Sequence, residues 1–173
     1  MKNILFAIIF ILGAIFSVSA QNNQKPCTRE EAKQFDFWLG TWDLEWKTAK
    51  GETQKGTNTI QKVLDGCVVQ ENFDGGEQMK FKGMSHSVYS AQAKHWKQTW
   101  VDSAGSYLDF VGEFKDGKMT LRREFSGQDG KKTMQRMIFY NITKDALDWN
   151  WENSTDEGKT WNLLWKIHYK RKK

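Results

Sequence analysis

Proline is nearly absent: the only one in 173 residues is Pro26, close to the start. Every later segment can therefore donate a backbone N–H at each position, as a hydrogen-bonded sheet demands. Cysteine is almost as scarce, with Cys27 and Cys67 alone, and the three histidines, His86, His95 and His168, stand at no i,i+2 or i,i+4 spacing. Without a Cys-x-x-Cys or a paired histidine, a metal site has no usual scaffold. No G-x-S-x-G, H-E-x-x-H or Walker loop occurs, so the common hydrolytic and nucleotide-binding constellations are missing. No repeat of 20 to 50 residues and no low-complexity linker interrupts the chain, which supports a single domain. Excess charge is missing too. The formal +5 includes one lysine in the first 20 residues, and Lys170, Arg171, Lys172 and Lys173 supply the other four, so the body balances to zero. No basic face is left for nucleic acid.

The start of the chain has a composition of its own. Met1-Lys2-Asn3 is a short basic segment, Ile4 to Phe16 an apolar run, and Val18-Ser19-Ala20 a set of small residues, followed by the polar Gln21-Asn22-Asn23-Gln24. That is the three-part pattern of a secretory signal removed after Ala20. A membrane anchor is the rival reading, because the run approaches spanning length. Cleavage predicts an exported, periplasmic or secreted protein, with no stable membrane insertion afterwards. Removing 20 residues from 173 leaves 153, one domain's worth. The boundaries expected are 1–20 for the signal, 21–40 for an N-terminal segment with a short helix, and 41–173 for the main domain. Nine Trp, four Tyr and eight Phe remain after position 20, which excludes disorder.

Turn signals then recur at a steady step, among them Lys50-Gly51, Asp65-Gly66, Asp74-Gly75-Gly76, Ala104-Gly105, Asp116-Gly117, Asp129-Gly130 and Glu157-Gly158. Between them apolar and polar residues alternate, the period-2 mark of half-buried strands. Trp42/Leu44/Trp46 alternate with Asp43/Glu45/Lys47, Trp96/Gln98/Trp100 with Lys97/Thr99, and Leu147/Trp149/Trp151 with Asp148/Asn150/Glu152. The count is about ten strands, joined by turns too short for crossovers. The pattern predicts an all-β fold, a single antiparallel up-and-down barrel, since closure removes exposed edges. A two-sheet sandwich is the alternative. Thr28-Arg29-Glu30-Glu31 fits a capping box that opens a short helix ending near Phe35. Phe35, Phe37 and Trp38 would then plug one barrel end.

Gly40-Thr41-Trp42 is a G-x-W at the head of an alternating strand. The string Phe35-Asp36-Phe37-Trp38-Leu39-Gly40-Thr41-Trp42 resembles the opening of an uncharacterised bacterial family with a lipocalin-like (calycin) fold. The resemblance continues through Gly66-Cys67-Val68-Val69, Trp96 to Asp102 and Trp151 to Trp161. It implies a small antiparallel barrel and brings no activity. In lipocalins a basic residue of the last strand packs over the G-x-W tryptophan, which implies Arg171 over Trp42; a solvated tail is the other reading of Arg171. More distantly the chain is similar to nitrobindins, ten-stranded barrels that bind haem through a histidine near the C-terminus. Their opening glycines are here Leu44 and Trp46, and His168 falls on outward parity, so two departures count against haem and no cofactor is expected.

Ser154-Thr155-Asp156-Glu157-Gly158-Lys159-Thr160-Trp161 matches the S-x-D-x-G-x-T-W Asp-box of sialidase propellers. A single copy reads as a turn staple: Ser154 and Asp156 bond backbone donors, Gly158 takes a positive φ, and Trp161 packs beneath. An exported chain meets an oxidising compartment, where Cys27 and Cys67 can bridge, closing a loop of about 40 residues and contributing roughly 3–4 kcal/mol; two unpaired thiols are the alternative.

Polar groups on inward parity carry what functional signal there is. Gln98 lies between Trp96 and Trp100; Arg123 shares a face with Met119, Leu121 and Phe125; Arg136 shares one with Met134, Ile138 and Tyr140. A guanidinium inside a barrel needs a partner, either an anionic ligand, an internal acid such as Glu71, or water at the mouth. The expected ligand contacts are Trp96, Gln98, Trp100, Phe110, Arg123, Arg136, Tyr140, Trp149 and Trp151, with no catalytic residue assigned. These residues support a barrel that binds a small, mostly apolar ligand with an anionic group. A small-molecule isomerase or hydrolase in the same pocket is the second reading, and a filled barrel that binds an envelope component or partner the third.

Overall fold

A computed structural model of the chain describes residues 27–127 and 130–173. The proposed signal, and with it Pro26, lies outside the described residues. Ten strands follow one another: β1 Gly40–Lys47, β2 Thr53–Val63, β3 Val68–Asp74, β4 Lys82–Ser90, β5 His95–Asp102, β6 Tyr107–Lys115, β7 Lys118–Ser126, β8 Lys132–Tyr140, β9 Ala146–Ser154 and β10 Asn162–Arg171. Each pairs antiparallel with its chain neighbours, and β10 returns to β1 with Trp42 opposite Arg171 and Leu44 opposite Tyr169. The ring is a closed barrel rather than a sandwich, and it leaves no sheet edge unpaired.

Alternation sets what faces inward. Trp42, Leu44 and Trp46 of β1 are buried, while Asp43 and Glu45 between them are exposed. The same holds for Trp96 and Gln98 of β5, Met119 and Leu121 of β7, and Ile167 and Tyr169 of β10. Strand β8 departs from the expected parity. Met137 and Phe139 point into the core, so Arg136 and Tyr140 stand on the outer face. Both faces of β8 carry apolar residues, and the alternation of Met134, Ile138 and Tyr140 matches a strand as well as the true inward set does. Local pattern cannot choose between them; the register with β7, which pairs Leu121 with Met137, does.

The expected short N-terminal helix is present and is of the 3₁₀ type. It consists of two 3₁₀ turns, Glu30–Lys33 and Asp36–Trp38, and Arg29 stands at the head of the first. The 3₁₀ type suits the spacing of the apolar residues. Ala32, Phe35 and Trp38 recur every three positions, which a 3₁₀ turn stacks on one side, and all three are buried. They close one end of the barrel: Phe35 meets Trp96 edge-on at 4.8 Å and Phe139 at 5.6 Å, and Trp38 meets Phe139 at 4.9 Å. A disulfide between Cys27 and Cys67 ties this plug to the start of β3 across 40 residues of sequence.

Arg171 locks the same end. Its guanidinium carbon lies 4.0 Å from the Trp42 ring centroid, and the group donates to the carbonyls of Leu39, Phe37 and Lys144. Gly40 makes this possible: at φ +117° it takes a conformation L-residues avoid, and a Cβ there would stand 2.5 Å from Arg171 Nη1.

A candidate ligand cavity

The other end of the barrel is open and aromatic. Phe81, Trp100, Trp149, Trp151 and Trp165 are half-buried around it, and below them lies a cavity of about 160 Å³. A cavity of about 150 Å³ admits a benzene molecule, so this one has room for a single ring with a short substituent. The walls are held in place by ring contacts. Trp165 meets Trp149 at 5.8 Å and 90°, and Phe73 at 5.8 Å and 85°, while Trp151 meets Phe110 at 5.7 Å. Trp100 lies flat across Gly83, where a Cβ would come within 2.0 Å of the indole, and its Nε1 donates to Asp102 Oδ2 at 2.9 Å.

A polar cluster borders the depth of the cavity. Glu71, 6% exposed, accepts from Asn58 Nδ2 at 2.7 Å and from Ser85 Oγ at 2.6 Å. Asn58 also donates to the Tyr169 hydroxyl at 3.3 Å. Burial pushes the Glu71 carboxyl up to about 7, against the pull of its two hydrogen-bond donors. Burial, followed by the nearby Glu71 charge, raises Tyr169 as well. Gln98 donates to Ser87 Oγ at 2.9 Å and keeps Oε1 without a partner, as Trp38 keeps its Nε1. Such buried orphans are uncommon.

Over residues 28–171 the chain matches the family described as a protein of unknown function, DUF1579. The chain belongs to the DUF1579 family. No curated protein matches it. The match spans both the plug and all ten strands of the DUF1579 barrel, so the cavity is built wholly from the matched region.

Of the residues singled out in the sequence, Gln98, Trp100, Phe110, Trp149 and Trp151 line the cavity of this DUF1579 chain. Trp96 lies deeper, within the plug, with its Nε1 on Gln34 Oε1 at 3.1 Å. Arg123 faces inward beside the mouth but not in the lining. It donates to Gln135 Oε1 at 3.0 Å and covers the rings of Phe125 and Phe110. Glu71 is partner to neither arginine. Arg136 and Tyr140 are outside: Arg136 pairs with Glu152 at 2.7 Å and stacks 3.9 Å over the Trp161 ring, and Tyr140 donates to Asn150. His168 is outside as well, 2.9 Å from Asp148.

The Asp-box turn of the DUF1579 chain is closed by its own side chains. Ser154 Oγ accepts from the Gly158 amide at 2.8 Å, Asp156 from the Thr160 amide and hydroxyl, and Trp161 donates to the Gly158 carbonyl at 3.0 Å. These bonds, the Thr160 hydroxyl foremost, hold the Asp156 carboxyl well below its ordinary value. Glu71, Phe73, Phe81, Trp165 and Tyr169 line the cavity and were not among the expected contacts. An acid on inward parity between Val69 and Phe73 was the available signal for Glu71.

Proposed function

We propose that this chain is an exported, lipocalin-like barrel that holds one small, mostly apolar ligand in its aromatic cavity. The cavity itself carries the reading: apolar walls, a few polar groups and one open end are the usual make-up of a small-molecule site. Export rests on the signal-like residues 1–20 and agrees with the disulfide, which persists in an oxidising compartment. The anionic ligand group expected from the sequence finds no anchor in the lining, because Arg136 is outside and Arg123 is engaged by Gln135 and two rings. An isomerase or hydrolase in the same pocket draws on one observation, that Glu71 is a cavity-lining acid brought close to neutrality, as a general base requires.

Native mass spectrometry of protein purified from its own compartment tests the proposal. A co-purifying small molecule, displaced by apolar competitors with a change in tryptophan fluorescence, supports a binder. A clean apo mass together with no fluorescence response to any small aromatic probe refutes it. Chemical conversion of the recovered molecule on incubation with fresh protein moves the assignment to an enzyme.

A further inference from the structure

The lining of the cavity is one-sided in charge. It contains Glu71 and no lysine, arginine or histidine. The groups that face Glu71 are neutral: Asn58 from β2 and Ser85 from β4 donate to it, and the Tyr169 hydroxyl from β10 accepts from the same Asn58 amide. Tyr169 is the one other titratable group in the lining, and no ion pair engages Glu71 among the described residues. A buried carboxylate held only by neutral donors carries an uncompensated desolvation cost. What the site lacks is a positive charge.

The remaining features suit the same ligand. Trp100, Trp149, Trp151 and Trp165 surround the space, and the faces of indole rings attract cations and repel anions. Gln98, 3% exposed, has its amide donor on Ser87 and an unpartnered carbonyl oxygen, an acceptor awaiting a donor. An ammonium brings three donors and no acceptor, which fits a carboxylate and an amide oxygen together. The volume of about 160 Å³ limits the rest to one ring and a short linker.

We propose that the cavity takes a small arylalkylamine, with its ammonium group against Glu71 and its ring among the indoles. This rests on the ligand-binding reading above and names the chemical class of that ligand. An anion would meet Glu71 and π-faces with no cation in the lining to hold it. The ionised Glu71 is the binding form, so the amine and the proton compete for the same carboxylate.

Three probes of one shape separate the possibilities: benzylammonium, benzyl alcohol and benzoate, titrated into the disulfide-bonded protein and followed by tryptophan fluorescence and calorimetry. Benzylammonium should bind at least about tenfold more tightly than benzyl alcohol near pH 8, since a charge-assisted hydrogen bond exceeds a neutral one. Its affinity should fall about tenfold per pH unit below about 7, while that of the alcohol stays level. Glu71→Gln should remove both the amine preference and the pH dependence while still binding benzyl alcohol. The wild-type probe and pH series decides the matter even if that variant fails to fold. Benzoate binding as tightly as benzylammonium, or amine affinity that ignores pH, overturns the proposal and leaves the ligand-binding reading standing. No binding of any of the three, nor of toluene, overturns both.

Discussion

Replacing Glu71 with Gln should make the protein more stable, and only on one side of a defined pH window. The side chain is 6% exposed, and its carboxyl moves from 4.5 to about 7 on folding, chiefly because burial penalises the charge. At 1.36 kcal/mol for each pKa unit, holding the ionised form in the native barrel costs about 3 kcal/mol. Because the folded value lies above the unfolded one, the native state keeps a proton that the unfolded chain has already released. Stability should therefore fall as pH climbs from about 4.5 to about 7 and then level off. Glutamine does not titrate, and its amide oxygen can still accept from Asn58 while its amide nitrogen faces Ser85. The measurement is urea unfolding of the two oxidised proteins across about pH 4 to about pH 8, comparing free energies and slopes. The difference, variant minus wild type, should rise by about 3 kcal/mol across that range. Asp74, Asp102, Asp148 and Asp156 lie below their ordinary values, and their contributions fade only in stronger acid and equally in both proteins. A difference that is the same at both ends of the range would show that Glu71 does not titrate there, and the account of the buried cluster would fail.

Arg171→Ala should cost about 2–3 kcal/mol in chemical denaturation, since it removes the stack on Trp42 and three bonds to carbonyls at the plugged end. Arg171→Lys should recover less than half of this, because an ammonium cannot reproduce the planar fork; full recovery would refute the geometric argument. Arg136→Ala should lower the unfolding midpoint by leaving the mostly buried Glu152 without its cation, yet leave benzyl alcohol affinity unchanged. Lost binding in a folded Arg136→Ala protein would return that arginine to the cavity.

The barrel was legible wherever a strand has one apolar face. Trp42/Leu44/Trp46 and Trp96/Gln98/Trp100 settle their own orientation, because their alternate positions are polar. Strand β8 was not legible, because Met134, Ile138 and Tyr140 compete with Met137 and Phe139, and only pairing to β7 resolves the contest. The N-terminal segment was readable as a plug and a short helix, but its 3₁₀ type was not legible from the capping pattern; it suits the three-residue spacing of Ala32, Phe35 and Trp38. The cavity was half legible for a different reason. Gln98, Trp100, Phe110, Trp149 and Trp151 follow from parity alone. The link from Glu71 on β3 through Asn58 to Tyr169 on β10 depends on β10 closing onto β1, which no local pattern contains.

Eight of the nine tryptophans point into so small a barrel that they ought to fill it, and the reason they do not lies in one wall. Ile60 and Tyr89 serve the plugged end, but the other inward positions of β2 and β4 include Gly56, Asn58, Gly83, Ser85 and Ser87, small or polar, whereas β5, β9 and β10 contribute Trp100, Trp149, Trp151 and Trp165. The plug occupies only the end beneath Trp96 and Phe139, and the indoles of Trp46 and Trp100 lie over Gly56 and Gly83 without filling the middle. What remains is a space with an aromatic side and a hydrogen-bonding side, with Glu71 set in the latter between Asn58 and Ser85. At Gly83 a Cβ would meet the Trp100 indole at 2.0 Å, but at Asn58, Ser85 and Ser87 stability alone would favour apolar side chains, since burying a polar group carries a cost that an apolar one does not. A wall kept small and polar, with an acid at its centre, makes sense if something enters from the open end with a polar head toward Glu71 and an apolar body toward the indoles. The division between the two ends fits the same proposal: Arg171, the disulfide and the aromatic plug fix one end, and the cavity opens at the other.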